Sequence, residues 1–267
     1  MVEVQLEEIG INREDKIISI CSRNPIVAFS GEKVIEVSKK LAASGHRSLP
    51  VVDKKMKLIG MVTITDILNF LFSGGDMNFS IESIMSREVV SCDSGETIEL
   101  VLQKMKISKR GRLPVISNKK VVGVISESDF ILVTKNFSPF EKFTIGDVMT
   151  RKPFFVLPNF TAREVARTMV NGKYRRLPVV ENGNLVGYIT STFLFKHLVN
   201  NSFSENSLNQ KISEIMTRTP IVVLSSESLA NVLKIMKEKK ISSMLVVDEK
   251  NKLEGIFTER DYINLLA

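Results

Sequence analysis

The sequence predicts an α+β fold of four β-α-β-β-α repeats, and three recurring spacings carry the prediction. A short element, Met or Cys followed by a hydroxyl, recurs at Cys21-Ser22, Met85-Ser86, Met149-Thr150 and Met216-Thr217. A second anchor, at Pro50, Pro114, Pro178 and Leu245, lies 28 residues after each hydroxyl. A third, at Gly60, Gly123, Gly187 and Gly255, lies 6 residues before Asp66, Asp129, Phe193 and Asp261. Successive hydroxyls are 64, 64 and 67 residues apart, and the extra length falls in the polar linker between Asn200 and Lys211.

Each copy yields the same elements in order. A short strand follows the hydroxyl, as at residues 25–29 and 154–157. A helix comes next, with apolar residues at i, i+3 and i+7: Val34, Val37, Leu41; Ile98, Val101, Met105; Ala162, Val165, Met169; Leu229, Val232, Met236. That period places them on one buried face. Thr97, Thr161 and Ser228 fall at the helix N-cap, Glu164 completes a capping box with Thr161, and Lys33 breaks the pattern in copy one. Two apolar strands follow, joined by polar turns such as Asp53-Lys54-Lys55 and Glu181-Asn182-Gly183-Asn184. A second helix starts near Asp66, Asp129, Phe193 and Asp261. The copies span residues 17–75, 76–138, 139–200 and 201–267 after a lead of 1–16, with breaks at Ser73-Gly74-Gly75-Asp76, Asn136-Phe137-Ser138-Pro139 and Asn200-Asn201-Ser202. A unit this small buries little core alone, so copies should pair.

Composition narrows the class. An apolar share of 43% with 25% charged residues suits a soluble globular protein. No apolar run approaches the length of a membrane-spanning helix, and the start, Met1-Val2-Glu3-Val4-Gln5, predicts no signal peptide. Cys21 and Cys92 make no disulfide or metal framework, which fits a reducing cytosol, so a cytoplasmic location is expected. The net charge of +7 comes from dispersed lysines, which reads as a solvated surface before an anion-binding patch. His46 and His197 have no carboxylate or cysteine at metal-ligand spacing, so no metal is expected. Without a phosphate loop, a nucleophile elbow or a dinucleotide fingerprint, the chain does not read as an enzyme.

The Leu-Pro-Val-Val strand, the Gly-h-h-Ser/Thr-x-x-Asp junction (h is apolar) and the Met-Ser/Thr element recur in register over roughly residues 17–267. Together they resemble the CBS domain family, named for a regulatory region of cystathionine β-synthase. The resemblance implies tandem domains packed into modules, here copies 1+2 and 3+4, forming a flat pseudo-symmetric disc. It also implies an adenosine ligand (AMP, ADP, ATP or S-adenosylmethionine) in clefts between the strands and the second helix. In the family the junction Asp bonds both ribose hydroxyls and the Ser/Thr three residues earlier contacts phosphate. Residues before the Leu-Pro strand line the base and phosphate path, and backbone near the Met-Ser/Thr element helps hold adenine.

Carried onto this chain, copy one offers His46, Arg47, Thr63 and Asp66, and copy two Lys109, Arg110, Arg112, Ser126 and Asp129. Copy three offers Tyr174, Arg175, Arg176 and Thr190, but Phe193 replaces the ribose Asp. Copy four has Thr258 and Asp261, with uncharged Ile241, Ser242 and Ser243 upstream, so basic groups from another copy would have to reach in. Ser22, Ser86, Thr150 and Thr217 complete the set. The sites rank two, one, four, three.

The chemistry is sound on its own terms. A carboxylate accepting two hydroxyls makes charge-assisted bonds of roughly 1.5–3 kcal/mol each. Amides and a hydroxyl at a helix start suit an anion, and nearby basic side chains neutralise phosphate. Plain structural roles stand beside these. The Asp residues would stabilise a helix dipole by about 0.3–1 kcal/mol, and Thr63, Ser126 and Thr258 would be N-caps. The arginines would be solvated charges, Met85, Met149 and Met216 core filling, and Cys21 a small buried hydrophobe.

The expected function is a stand-alone, adenine-nucleotide-binding regulatory protein, an energy sensor that passes ligand occupancy to a separate effector protein. A homodimer is compatible with this reading. One alternative is a ligand-free scaffold or oligomerisation module, favoured locally by Phe193 and the charge-poor fourth site. The other is a nucleic-acid-binding protein, the weakest because its charge is dispersed.

Overall fold

The apolar strand pairs form four antiparallel hairpins: Ser48–Val52 with Leu58–Thr63, Arg112–Ser117 with Lys120–Ser126, Arg176–Glu181 with Asn184–Thr190, and Ser243–Val247 with Leu253–Thr258. The computed structural model describes residues 3–267. Each hairpin slips register once, leaving Ile59, Val122, Val186 or Glu254 as the extra residue of a bulge beside the anchor glycine. The first helices run Val34–Ser44, Ile98–Ser108, Ala162–Gly172 and Leu229–Lys239, and the second Ile64–Phe72, Glu127–Val133, Ser191–Asn200 and Glu259–Leu265. The second helices therefore start two residues before the Asp/Phe position. The Ser/Thr is the N-cap, and the Asp sits in the first turn.

Contacts divide the chain into two units. One comprises the described residues up to Pro25, Val90–Pro153 and Ile221–Ala267, and so holds copies two and four. The other comprises Ile26–Val89 and Phe154–Pro220, and holds copies one and three. Each has its own continuous apolar core. Tyr262, Phe130, Phe140 and Phe257 are fully buried in the first, and Val37, Ile67, Phe195 and Leu177 in the second.

The hydroxyl anchors do not stay with the copy they begin. Ser22–Arg23 pairs antiparallel with the Lys120–Ser126 strand of copy two, and Thr150–Arg151 pairs with the Leu253–Thr258 strand of copy four. Single bridges put Ser86 against Met61 of copy one and Thr217 against Tyr188 of copy three. The glycines explain how so close an approach is allowed. A Cβ on Gly123 would lie 2.7 Å from Cys21 Sγ and 3.1 Å from the Ser22 carbonyl oxygen. One on Gly60 would lie 2.5 Å from Met85 Sδ, and one on Gly187 2.7 Å from the Thr217 carbonyl oxygen. Met149 covers Gly255 in the same way. Two anchors separate in sequence are thus one contact in space.

Some expectations need correction. The first strands are shorter than read: Ala28–Phe29 within residues 25–29, and a single Val156–Val179 bridge within residues 154–157. The first helices of copies two and three are capped as expected, Thr97 accepting from Leu100 N and Thr161 sharing a reciprocal box with Glu164. Ser228 does not cap with its side chain, and its N–H donates to the Glu227 carboxylate at 3.1 Å. In copy one Lys33 cannot accept a bond, yet Glu36 still receives the Lys33 N–H at 2.9 Å, so half of the box survives. The polar linker between Asn200 and Lys211 holds a helix, Glu205–Asn209, capped by Ser204 and preceded by buried Phe203, which packs on Phe195. The N-terminal lead is packed as well. Val4, Leu6, Ile9 and Ile11 are buried, and Val4 exchanges backbone bonds with Leu265 and Ala267.

Gly123→Ala is expected to lower unfolding free energy by about 1–3 kcal/mol through overpacking. Cys21→Ala should recover part of that loss, with a coupling of at least about 0.5 kcal/mol in a double-mutant cycle by urea denaturation. Strict additivity would show that Cys21 does not rest on Gly123.

Candidate functional site

All four copies place the same backbone at the junction. The N–H of the first residue of the second helix donates to a carbonyl just before the Leu-Pro strand: Ile64 to Arg47, Glu127 to Gly111, Ser191 to Arg175 and Glu259 to Ser242, at 3.0 to 3.1 Å. Copies two to four end the first helix in a left-handed residue, Lys109, Lys173 or Lys240, where copy one has Gly45. Lys109 is therefore first a helix C-cap. These fixed points set the structural register: His46, Arg110, Tyr174, Ile241; then Arg47, Gly111, Arg175, Ser242; then Ser48, Arg112, Arg176, Ser243. The last position lies directly across the hairpin from the Ser/Thr. Copies two and three put arginine there, and copies one and four put buried serine.

The junction Ser/Thr and Asp are bonded to each other. Thr63 gives both its N–H and its hydroxyl to Asp66 Oδ2, each at 2.8 Å, and takes the Asp66 N–H at 3.2 Å. Ser126 gives its N–H and hydroxyl to Asp129 Oδ2 at 2.6 and 2.7 Å, and Thr258 gives both to Asp261 Oδ2 at 2.7 Å. The capping role weighed for these hydroxyls is therefore real. The hydroxyl proton faces the carboxylate, so what remains on that oxygen is acceptor capacity. In copy three Phe193 has no acceptor to offer. Thr190 still takes the Phe193 N–H at 3.2 Å, and its hydroxyl lies 3.2 Å from that of Thr192.

Burial separates the acids from ordinary surface carboxylates. Asp129 is 9% exposed, and burial raises its proton affinity against the opposing pull of Ser126 and Arg112. Burial likewise raises Asp261, with Thr258 opposing, Glu127 adding its charge and Arg260 countering it. The Arg112 charge thus reaches Asp129. The exchanged anchor belongs to the same place, since Asp129 and Arg23 both act on the Cys21 thiol, which burial raises.

The predicted residues therefore assemble as composite groups. In the first unit Ser22 joins Arg112, Ser126 and Asp129, and Thr150 joins Thr258 and Asp261. In the second unit Ser86 joins the hairpin carrying Thr63 and Asp66, and Thr217 the one carrying Arg176 and Thr190. Ser22, Ser86 and Thr150 are exposed, as are Arg110 and Arg175, while His46 and Arg47 are half-buried. Arg176 lies 4.6 Å from the centre of the Tyr188 ring. Tyr174 stacks on Phe154 at 5.3 Å. Met85, Met149, Met216 and Cys21 are buried, as core filling requires. Among the described residues no group of three or more His, Cys, Asp and Glu is arranged for a metal, and no helix is long and apolar enough to cross a membrane.

Sequence reasoning missed two features. An arginine follows the hydroxyl in every copy: Arg23, Arg87, Arg151 and Arg218. Three of them donate to the carbonyl five residues back, at Ile18, Gly146 and Ser213. The fourfold repetition was the available signal. The second feature is an ion pair between Arg260 and buried Glu127, which left no signal because 133 residues separate the partners.

Comparisons with known proteins agree with this geometry. A family model described as CBS domain matches residues 17–73, 81–135, 145–198 and 212–267. Uncharacterized protein MJ1225 of Methanocaldococcus jannaschii is 29% identical over 248 residues, covering 83% of this chain and 88% of that protein. Its crystal structure, described as that of a proposed archaeal homolog of g-AMPK, matches with a TM-score of 0.84 at 26% identity, covering 94% of this chain and 99% of the other. An uncharacterized 33.4 kDa protein in a ribosomal RNA operon of Thermofilum pendens is 26% identical over 270 residues, covering 90% and 87%. An uncharacterized conserved protein from Pyrococcus horikoshii shares the fold, with a TM-score of 0.62 at 22% identity, covering 94% and 99%. With four matched segments in register along its length, the chain belongs to the CBS domain family.

Proposed function

We propose that this protein is a regulatory adenine-nucleotide sensor whose occupancy is read by a separate effector protein. CBS domain pairs bind adenosine ligands in regulatory roles, and that family property supports the reading. The observation that carries it is the junction carboxylate, held at one oxygen by its own cap in copies one, two and four. In copies two and four a carboxylate anchored through Oδ2 can offer Oδ1 to a diol, and ribose supplies one. Asp66, Asp129 and Asp261 take the ribose role. Arg47, Arg110, Arg112, Arg175 and Arg176 are the phosphate-pairing groups, and AMP, ADP, ATP and S-adenosylmethionine all share the moiety recognised. Transmission requires that the ligand bind two arrangements of the protein with different affinity.

Calorimetric titration with these four ligands should give saturable heat with at least one of them. Asp66→Ala with Asp129→Ala should then weaken the corresponding sites about 10- to 100-fold each, the loss of charge-assisted bonds of roughly 1.5–3 kcal/mol. Heat with none of the four, or affinity indifferent to the double substitution, would sink the reading.

The same acid should cost stability when no ligand is bound. With the folded pKa of Asp129 raised by burial, the native state holds more protons than the unfolded chain between the two pKa values, so wild-type stability falls as pH rises through that window. Asp129→Asn removes this loss. In thermal melts the Tm difference between variant and wild type should be smallest near about pH 2.5, where the acid is protonated in both states, and should grow in the variant's favour toward pH 7. A variant less stable than wild type at pH 7 would mean that the charged carboxylate is structurally required.

A further inference from the structure

Copy four carries Ile241, Ser242 and Ser243 where the other copies carry basic residues; the Arg151 that its anchor brings across donates to the Gly146 carbonyl at 2.8 Å, and the arginine of its own second helix is Arg260, between Thr258 and Asp261. That guanidinium is already engaged. Its Nε donates to Glu127 Oε1 and its Nη2 donates to the Lys109 carbonyl at 3.2 Å. Glu127 opens the second helix of copy two and is 1% exposed, whereas the same helix position is Ile64 in copy one and Ser191 in copy three. A carboxylate this deeply buried holds its arginine firmly, because release would strip a buried charge of an ion-pair partner. The Glu127 charge also reaches Asp261. A polyphosphate brought here meets Asp261 under the influence of Glu127, with Arg260 already engaged. An uncharged or cationic ligand meets no such repulsion.

Resting on the adenosine reading above, we infer that the Glu127–Arg260 pair is a specificity gate on the copy-four site. It withholds the arginine from phosphate and selects adenosyl ligands of little or no negative charge, such as a nucleoside or a sulfonium nucleoside. Glu127 and Arg260 are specificity determinants contributed by different copies of one unit, and the ribose contact remains with Asp261.

The test uses the full chain carrying Asp66→Ala and Asp129→Ala, which leaves copy four as the site with its junction acid. Titrated by calorimetry, it should bind adenosine and S-adenosylmethionine at least about tenfold more tightly than ATP, a difference of about 1.4 kcal/mol. Adding Asp261→Asn should remove that binding, which assigns it to copy four. Adding Glu127→Gln instead should free the arginine and narrow the preference about tenfold toward ATP. ATP binding as tightly as adenosine, binding untouched by Asp261→Asn, or a ratio unmoved by Glu127→Gln would each overturn the gate. If Glu127→Gln does not fold by circular dichroism, the ligand order and the Asp261→Asn result still decide. Loss of all adenosyl binding in the Asp66/Asp129 background, with binding intact in wild type, overturns this inference alone. No binding to wild type overturns the sensor reading with it.

Discussion

The exchange of the hydroxyl anchors is the constraint on which the rest of the molecule depends. Each anchor packs on the glycine of another copy, so closely that a Cβ there would be crowded. A hairpin without that strand would expose an unpaired sheet edge and a bare apolar groove. The bulge beside each glycine bends the hairpin where the foreign strand arrives. In copies two and four the anchor is a strand of the sheet, and in copies one and three it adds a single bridge, so every hairpin takes part of its edge from another copy. The anchor hydroxyl beside each junction therefore comes from a different copy than the junction Ser/Thr and its neighbour three residues on.

The junction acid then answers to two demands. It caps the second helix, and through burial it also raises the cost of its own charge. Copy three separates these roles. There Thr190 caps the helix with Phe193 in place of the acid, and the helix still runs Ser191–Asn200. The cap alone thus does not demand a carboxylate. The carboxylates of copies two and four are buried against Ser126 and Arg112 and against Thr258 and Arg260, and the proposed ribose role would account for their being acids at all.

Much of this was legible in the sequence because repetition supplied the register. Four hairpins, eight helices at the predicted places and the Thr161–Glu164 box all follow from spacing and helical period. What could not be read was partnership. An apolar face at i, i+3 and i+7 says that something covers it, and does not say which copy. The same limit hid the destination of Ser22, whose own copy contributes nothing to the strand it pairs with. The lead's Val4, Leu6 and Ile9 alternate with glutamates and glutamine, too short a pattern to separate from a frayed end. Ser228 had the right residue type for a cap, yet its side chain makes no cap bond, since residue type alone does not fix which local bonds a hydroxyl makes.

Counting basic residues upstream of each junction leaves out the charge pairs that surround it. Copy two looked the most basic, yet Lys109 is a helix cap, Arg112 stands beside Asp129, and the next carboxylate, Glu127, is turned toward copy four. Copy one has fewer cations, but its second helix opens with Ile64 and brings no second acid to the junction. What a phosphate meets at a site depends on the sum of such pairs within the unit, including groups more than a hundred residues away. Four repeats with one backbone plan can therefore carry different charge preferences. The position after the capping hydroxyl, occupied by Ile64, Glu127, Ser191 and Glu259, is where this chain varies them.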